Sequence, residues 1–258
     1  MSSARLAEVA RWLDRLYIAA DGAGLREEDR RKAEEVAAIL DEIERASARV
    51  SRRSPIALVD AAAGKSYVGL LAAKLVLEPA GRAASVVTIE REAARVALSR
   101  AAAARIETAV PIDCRQAEVS DPAAWPEGAS LVVALHACGN AADEIIGQAI
   151  RTGARELLLA PCCTSRAVDA AARAEATAVR SAIPRHAPVR RRFIQAMVDA
   201  ERTWRLEAAG YETEVVEFVG ATVTPHNLLW RARRVGEPAR MAAARQALSR
   251  IQGGAGPV

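Results

Sequence analysis

The chain has 258 residues, 51% of them apolar and 26% charged, enough for one sizeable α/β domain with an appendage or for two small domains. A net charge of +4 permits an anionic partner such as RNA without demanding one, and no run approaches the roughly 18 apolar residues of a membrane span. Four cysteines are too few for a disulfide framework at this length, so reduced thiols in a cytoplasm are the expected state.

The first fifty residues read as helices. Leu6, Val9, Leu13, Leu16 and Tyr17 recur at helical spacing, and so do Val36, Ile39, Leu40 and Ile43 after the polar turn "DGAG". Each apolar face needs a surface to pack on, which predicts a helical cap over residues 1–53. From residue 54 the pattern changes to short apolar runs: "IALVDA", "SVVTIE", "ETAVPID", "SLVVALH" and "RELLLAP", with helical stretches or a short loop between them. Such alternation predicts βαβ units and a mostly parallel sheet. The last two runs, "YETEVVEFV" and "HNLLWRARR", are separated only by "GATVTP", too short for a crossover helix. They are expected to pair antiparallel. The fold predicted for residues 54–234 is α/β, a Rossmann-like sheet of about seven strands with helices on both faces. A last helix with Pro238 in its first turn and a tail complete residues 235–258.

The stretch "ALVDAAAGKSYVG", residues 57–69, ends like a phosphate-binding P-loop in Gly64-Lys65-Ser66. A P-loop also needs a glycine five positions before that Gly64, where Val59 stands inside the first predicted strand. The later strands offer no terminal Asp for magnesium. The other reading is a nucleoside cofactor site: an acid at a strand end (Asp60), a tight loop of small residues (Ala61, Ala62, Ala63, Gly64), and a second acid (Glu90) ending the next strand to take ribose hydroxyls. The bland alternative makes Asp60 a helix cap and Glu90 a solvated acid.

Taken together, "VDAAAGKSYVG", "VVALHACGNAAD", "LLLAPCC" and "TPHNLLW" resemble a branch of the class I S-adenosylmethionine-dependent methyltransferases. That branch shows Asp-x-Gly-x-Gly-Lys-Gly-Tyr, then Leu-His-Ala-Cys-Gly, then a Cys-Cys pair after the fifth strand. It includes the methyltransferase domain of the glutathione-S-transferase C-terminal-domain-containing protein. The resemblance covers roughly residues 54–234, and Leu135-His136-Ala137-Cys138-Gly139 is its most specific part. It implies S-adenosylmethionine as cofactor. Asp60, Ala61, Ala62, Gly64, Lys65 and Ser66 would cradle the amino-acid end, Glu90 and Arg91 the ribose, and Arg115, Gln116 and Ala117 the adenine. Leu135 and His136 would approach the sulfonium. The chain departs from the pattern at Ala62 and Ser66, where glycines are expected. Alanine substitutes there on condition that φ stays negative. These departures motivate an alternative, a non-catalytic RNA- or protein-binding module on a methyltransferase scaffold.

Methyl transfer needs a base only where the acceptor loses a proton. His136 is the candidate for a hydroxyl acceptor, with Cys162 and Cys163 the other candidate catalytic groups at the rim. His136 merely bonding the backbone is an equal reading. His136, Cys138, Cys162, Cys163 and His226 are metal-competent types, but without a Cys-x-x-Cys knuckle free thiols are expected rather than a metal. Finally, Arg180, Arg185, Arg190, Arg191 and Arg192 gather ahead of a helix carrying Phe193, Met197 and Trp204. The arginines are either a phosphate-tracking patch for an RNA acceptor or a solvated helix start. The three apolar residues are expected on the core face.

Overall fold

The alternating apolar runs become a single seven-stranded sheet in the computed structural model, which describes residues 2–18, 26–163 and 168–253. Strands β1 (Ile56–Ala61), β2 (Ala84–Glu90), β3 (Ile112–Gln116), β4 (Leu131–Cys138) and β5 (Glu156–Cys163) are parallel. Strand β6 (Tyr211–Glu217) pairs antiparallel with β7 (Leu228–Arg234), which is also antiparallel to β5. The spatial order is β3-β2-β1-β4-β5-β7-β6. The chain therefore winds outward from β1 to β3 and then restarts beside β1 with β4. That reversal leaves a crevice at the carboxyl ends of β1 and β4, where open α/β sheets hold their ligands.

Each inner strand sends alternate residues to opposite faces. Leu58, Val86, Leu131, Val133 and Leu158 pack on one face with α1 (Ser3–Leu13), α2 (Glu27–Arg49), α3 (Tyr67–Ala72) and α4 (Ala93–Arg105). Val59, Val87, Val132, Ala134 and Leu157 pack on the other with α5 (Ala141–Thr152) and Leu206 of α7 (Ala187–Ala208). The N-terminal helices thus share one continuous core with the sheet. Helix α2 lies across three strands, because its Arg49 grips Glu156 at the start of β5 with two hydrogen bonds of 3.0 and 2.8 Å. Its Glu42 also accepts from Arg231 of β7. Its first turns consequently lie at the carboxyl rim. No described helix is long and apolar enough to cross a membrane.

Two expectations need correction. "ETAVPID" is not the third strand, which begins only at Ile112. The Glu78 carboxylate accepts from the Ala109 amide and the Thr108 hydroxyl, and Glu107 adopts φ 50°, so the earlier half of that run is a turn. In α7 the buried residues are Val198, Glu201, Arg202 and Leu206, whereas Phe193, Met197 and Trp204 are half-buried. Arg202 goes inside because Asp143 of α5 and Asp199 meet its guanidinium at 2.9 and 3.5 Å.

Candidate active site

At the switch point the chain leaves β1 through a loop with three residues in the left-handed region: Ala62 (φ 54°), Gly64 (φ 59°) and Ser66 (φ 60°). Only one of them is glycine. The condition of a negative φ at Ala62 is therefore not met; alanine here keeps the conformation a glycine would adopt, at a cost of about 1–2 kcal/mol. Packing holds the loop in place. The Ser66 hydroxyl is buried and donates to Ser99 of α4 at 2.9 Å, and the Tyr17 hydroxyl donates to the Lys65 carbonyl at 2.8 Å. The Tyr17 ring also meets Tyr67 edge to face at 4.5 Å. The N-terminal segment thus braces the loop from outside.

Asp60 and Glu90, both buried, anchor the loop in different ways. Asp60 accepts from the Gly69 amide at 2.8 Å, beneath the first turn of α3. Only glycine fits at position 69, since a Cβ would lie 2.9 Å from Thr88 Cγ2 and 3.1 Å from Asp60 Oδ2. Burial, with a smaller push from the Glu90 charge, raises the Asp60 carboxyl to about 7 despite the Gly69 hydrogen bond. Glu90 spends one oxygen on the Gly64 amide at 2.8 Å and the other on the Glu92 amide at 2.9 Å. Each oxygen keeps a second lone pair. A Cβ on Gly64 would meet nothing within 4 Å, so the loop borders open space. An acceptor carboxylate beside such a loop fits a hydroxyl-bearing nucleoside and not a triphosphate, whose charge it would repel.

Other expected contacts are arranged around this pair. The Ala117 amide donates to the Glu90 carbonyl at 3.0 Å, fixing the loop after β3. Arg115 is spent on Asp113 and the Ala124 carbonyl, so it braces that loop instead of reaching outward, while Gln116 and Arg91 are exposed. Ala61 is wholly buried in the core and Lys65 is exposed. Leu135 is half-buried against the cap-side core.

His136 interrupts β4. Leu135 pairs with Ala160 and Ala137 with Pro161, leaving His136 as a bulged residue with φ 65°. The bulge shifts the alternation by one, so Ala137 enters the α5-side core in its place. The imidazole turns instead toward α2, where Nε2 lies 2.9 Å from Oε2 of the buried Glu35. Lys32 donates to the same oxygen at 2.5 Å. Burial alone would raise the Glu35 carboxyl; the hydrogen bonds from His136 and Lys32 outweigh it and hold the group below the usual carboxylate range. Sequence reasoning missed Glu35. The available signal was an acid on the apolar stripe Glu35, Ile39, Glu42, Ala46, which a solvated acid would not occupy.

Two of the thiols expected to be free at this rim are not: Cys138 and Cys162 form a disulfide, joining the ends of β4 and β5. Cys162 therefore has no thiol to offer chemistry. The side chain of Cys163 lies outside the described residues, and Cys114 is a buried free cysteine. His226 is exposed in the β6–β7 connection.

Beyond the rim, α6 (Asp169–Arg180) and α7 form a helical hairpin held by Arg173–Glu201 and Arg190–Glu175 ion pairs. Helix α7 leads into β6, at the opposite edge of the sheet, so its first half points out on the rim side. From Arg202 to Arg190 the axis advances roughly 18 Å. Arg190 is not free for a partner, because Glu175 and the Ile183 carbonyl take its guanidinium. Arg180, Arg185, Arg191 and Arg192 are exposed.

Residues 31–169 match the family described as a methyltransferase domain. No curated protein matches the chain significantly. Among solved structures, the SAH-bound methyltransferase PaMTH1 of Podospora anserina is 12% identical, with 91% of this chain and 89% of that chain covered and a TM-score of 0.51. The SAH-bound magnesium protoporphyrin IX methyltransferase of Synechocystis is 11% identical over 90% of this chain and all of its own, with a TM-score of 0.48. The first likeness is one of fold.

Proposed function

From the premise that this chain belongs to the methyltransferase-domain family, we propose that it transfers the methyl group of S-adenosylmethionine to an acceptor, with RNA the favoured class. The observation that carries this reading is the Glu90 carboxylate, held at the end of β2 against the open loop of residues 61–66. The cofactor, when bound, supplies an electrophilic methyl on sulfonium, so the protein's task is chiefly alignment in a dry hollow. Glu90 accepts from the ribose hydroxyls, and Arg91 stands beside it. The backbone from Asp60 to Ser66 holds the amino-acid end, and the loop Arg115–Ala117 flanks the adenine. Leu135 and His136 border the methyl group.

Ala62 and Ser66 raise the alternative of a binding-only scaffold. Both keep left-handed backbone, so the loop follows the course glycines would give it, which supports catalysis over that alternative. The Leu-His-Ala-Cys-Gly and Cys-Cys motifs at the rim support a place in the branch that shares them.

RNA is favoured because residues 180–192 carry five arginines and no acid, and four of those arginines are exposed on the projecting hairpin. Such a surface tracks a phosphate backbone. The test is transfer of tritiated methyl from S-adenosylmethionine to RNA, protein and metabolite fractions of a cell lysate. Label in RNA is the expected result. Label confined to protein or metabolites overturns the acceptor, and absence of label from every fraction counts against catalysis.

A further inference from the structure

We infer that Glu35 is a positioning residue that locks His136 in the tautomer with Nε2 protonated, leaving Nδ1 as proton acceptor for a hydroxyl undergoing methylation. The inference rests on the methyl-transfer reading and assigns the helical cap a part in the site.

The argument is one of hydrogen-bond accounting. The Glu35 carboxylate is ionised and buried, and an ionised carboxylate only accepts. Nε2, at 2.9 Å, must therefore donate to it. Lys32 donates to the same oxygen, so two donors converge on one carboxylate acceptor. Nδ1 has no partner among the described residues, and the ring is 26% exposed. A neutral ring that donates through one nitrogen carries a lone pair on the other. The left-handed bulge keeps this ring out of the core and at the crevice, where β4 adjoins the loop after β1. Among the described residues, Glu35 is the side-chain partner of the ring, with Lys32 on the same carboxylate oxygen.

The chemistry balances for a hydroxyl acceptor. The proton leaves oxygen for Nδ1 as the oxygen–carbon bond forms and the carbon–sulfur bond breaks, the electron pair staying on sulfur. The proton then passes from Nδ1 to water.

The chain has three histidines, so long-range proton–nitrogen correlation spectra of the 15N-histidine-labelled protein resolve each ring, with His136→Asn identifying the signal. The wild type is expected to show His136 with Nε2 protonated and Nδ1 bare, and S-adenosylhomocysteine to move the Nδ1 signal while His186 stays still. In Glu35→Leu, an apolar replacement of similar volume, the two tautomers become comparable. Glu35→Gln serves as a second variant: with its carbonyl on Lys32 its amide donates to Nε2, which moves the proton to Nδ1. Calorimetric titration with S-adenosylhomocysteine checks the fold of the two Glu35 variants and is expected to agree with wild type within about twofold. A wild-type ring protonated on Nδ1 overturns the inference. So does an unchanged tautomer in Glu35→Leu, or an Nδ1 signal indifferent to bound ligand. Failure of the wild type to bind the ligand at all sinks the methyltransferase reading instead, and leaves the tautomer measurement standing.

Discussion

Glu90 Oε2 accepts a hydrogen bond from the Gly64 amide at 2.8 Å, so the acid ending β2 holds the loop that follows β1. The same carboxylate holds a loop that borders open space and is expected to bind the ribose. Replacing it with alanine removes a charge-assisted bond to the loop and the acceptor for the hydroxyls together, each worth about 1.5–3 kcal/mol. Glu90→Ala is expected to weaken S-adenosylhomocysteine binding by about 10-fold or more in a calorimetric titration. Unchanged affinity would place the ligand elsewhere.

The two loop substitutions make different predictions. Ala62 lies at φ 54° with only a side-chain methyl to keep, so Ala62→Gly relieves the left-handed strain and raises stability by about 1 kcal/mol in denaturant unfolding. Ser66 lies at φ 60° but spends its hydroxyl on Ser99. Ser66→Gly relieves the same strain and loses a buried hydrogen bond of about 1 kcal/mol, for little net change. Equal gains in both variants would contradict this account of the loop.

Asp60 gives the protein a pH-dependent stability. Its folded carboxyl is raised to about 7 from the ordinary 3.8, so the folded state binds more protons than the unfolded chain between those values. Stability contributed by protonated Asp60 is full below about pH 4 and is lost as the pH climbs toward 7, with a slope of at most about 1.4 kcal/mol per pH unit. Asp60→Asn stays neutral and can still accept from Gly69. Its unfolding free energy is expected to lack that slope and to exceed wild type at pH 8. A wild-type protein whose stability rises from pH 4 to 7 through this residue would refute the assignment.

The Cys138–Cys162 disulfide closes a loop of 24 residues at the rim. By loop entropy it stabilises the fold by about 3 kcal/mol. Alkylation without reductant should leave both residues unmodified in a linked peptide, and the Cys138→Ser, Cys162→Ser double variant should unfold at correspondingly lower denaturant. Quantitative alkylation of Cys138 in the unreduced folded protein would contradict the pairing.

The sheet was readable because six of its strands carry apolar runs or alternation bounded by turn residues. The third did not: "IDCRQ" lies at the edge with Cys114 its one buried residue, so its pattern is weak. Asp60 and Glu90 were legible as strand-end acids, since their roles depend on local chain geometry. Glu35 and the disulfide were not, because both pairings bring together distant segments. Glu35 is 101 residues from His136 and reaches it only because α2 runs back across the sheet. Cys138 and Cys162 become neighbours only once β4 and β5 pair.

The account depends most directly on where an adenosyl ligand lodges. Co-crystallisation with S-adenosylhomocysteine is expected to show the ribose hydroxyls within hydrogen-bond distance of Glu90, and the thioether sulfur near His136. Electron density for the ligand on another face, with the space above β1 and β2 filled by ordered solvent, would contradict it.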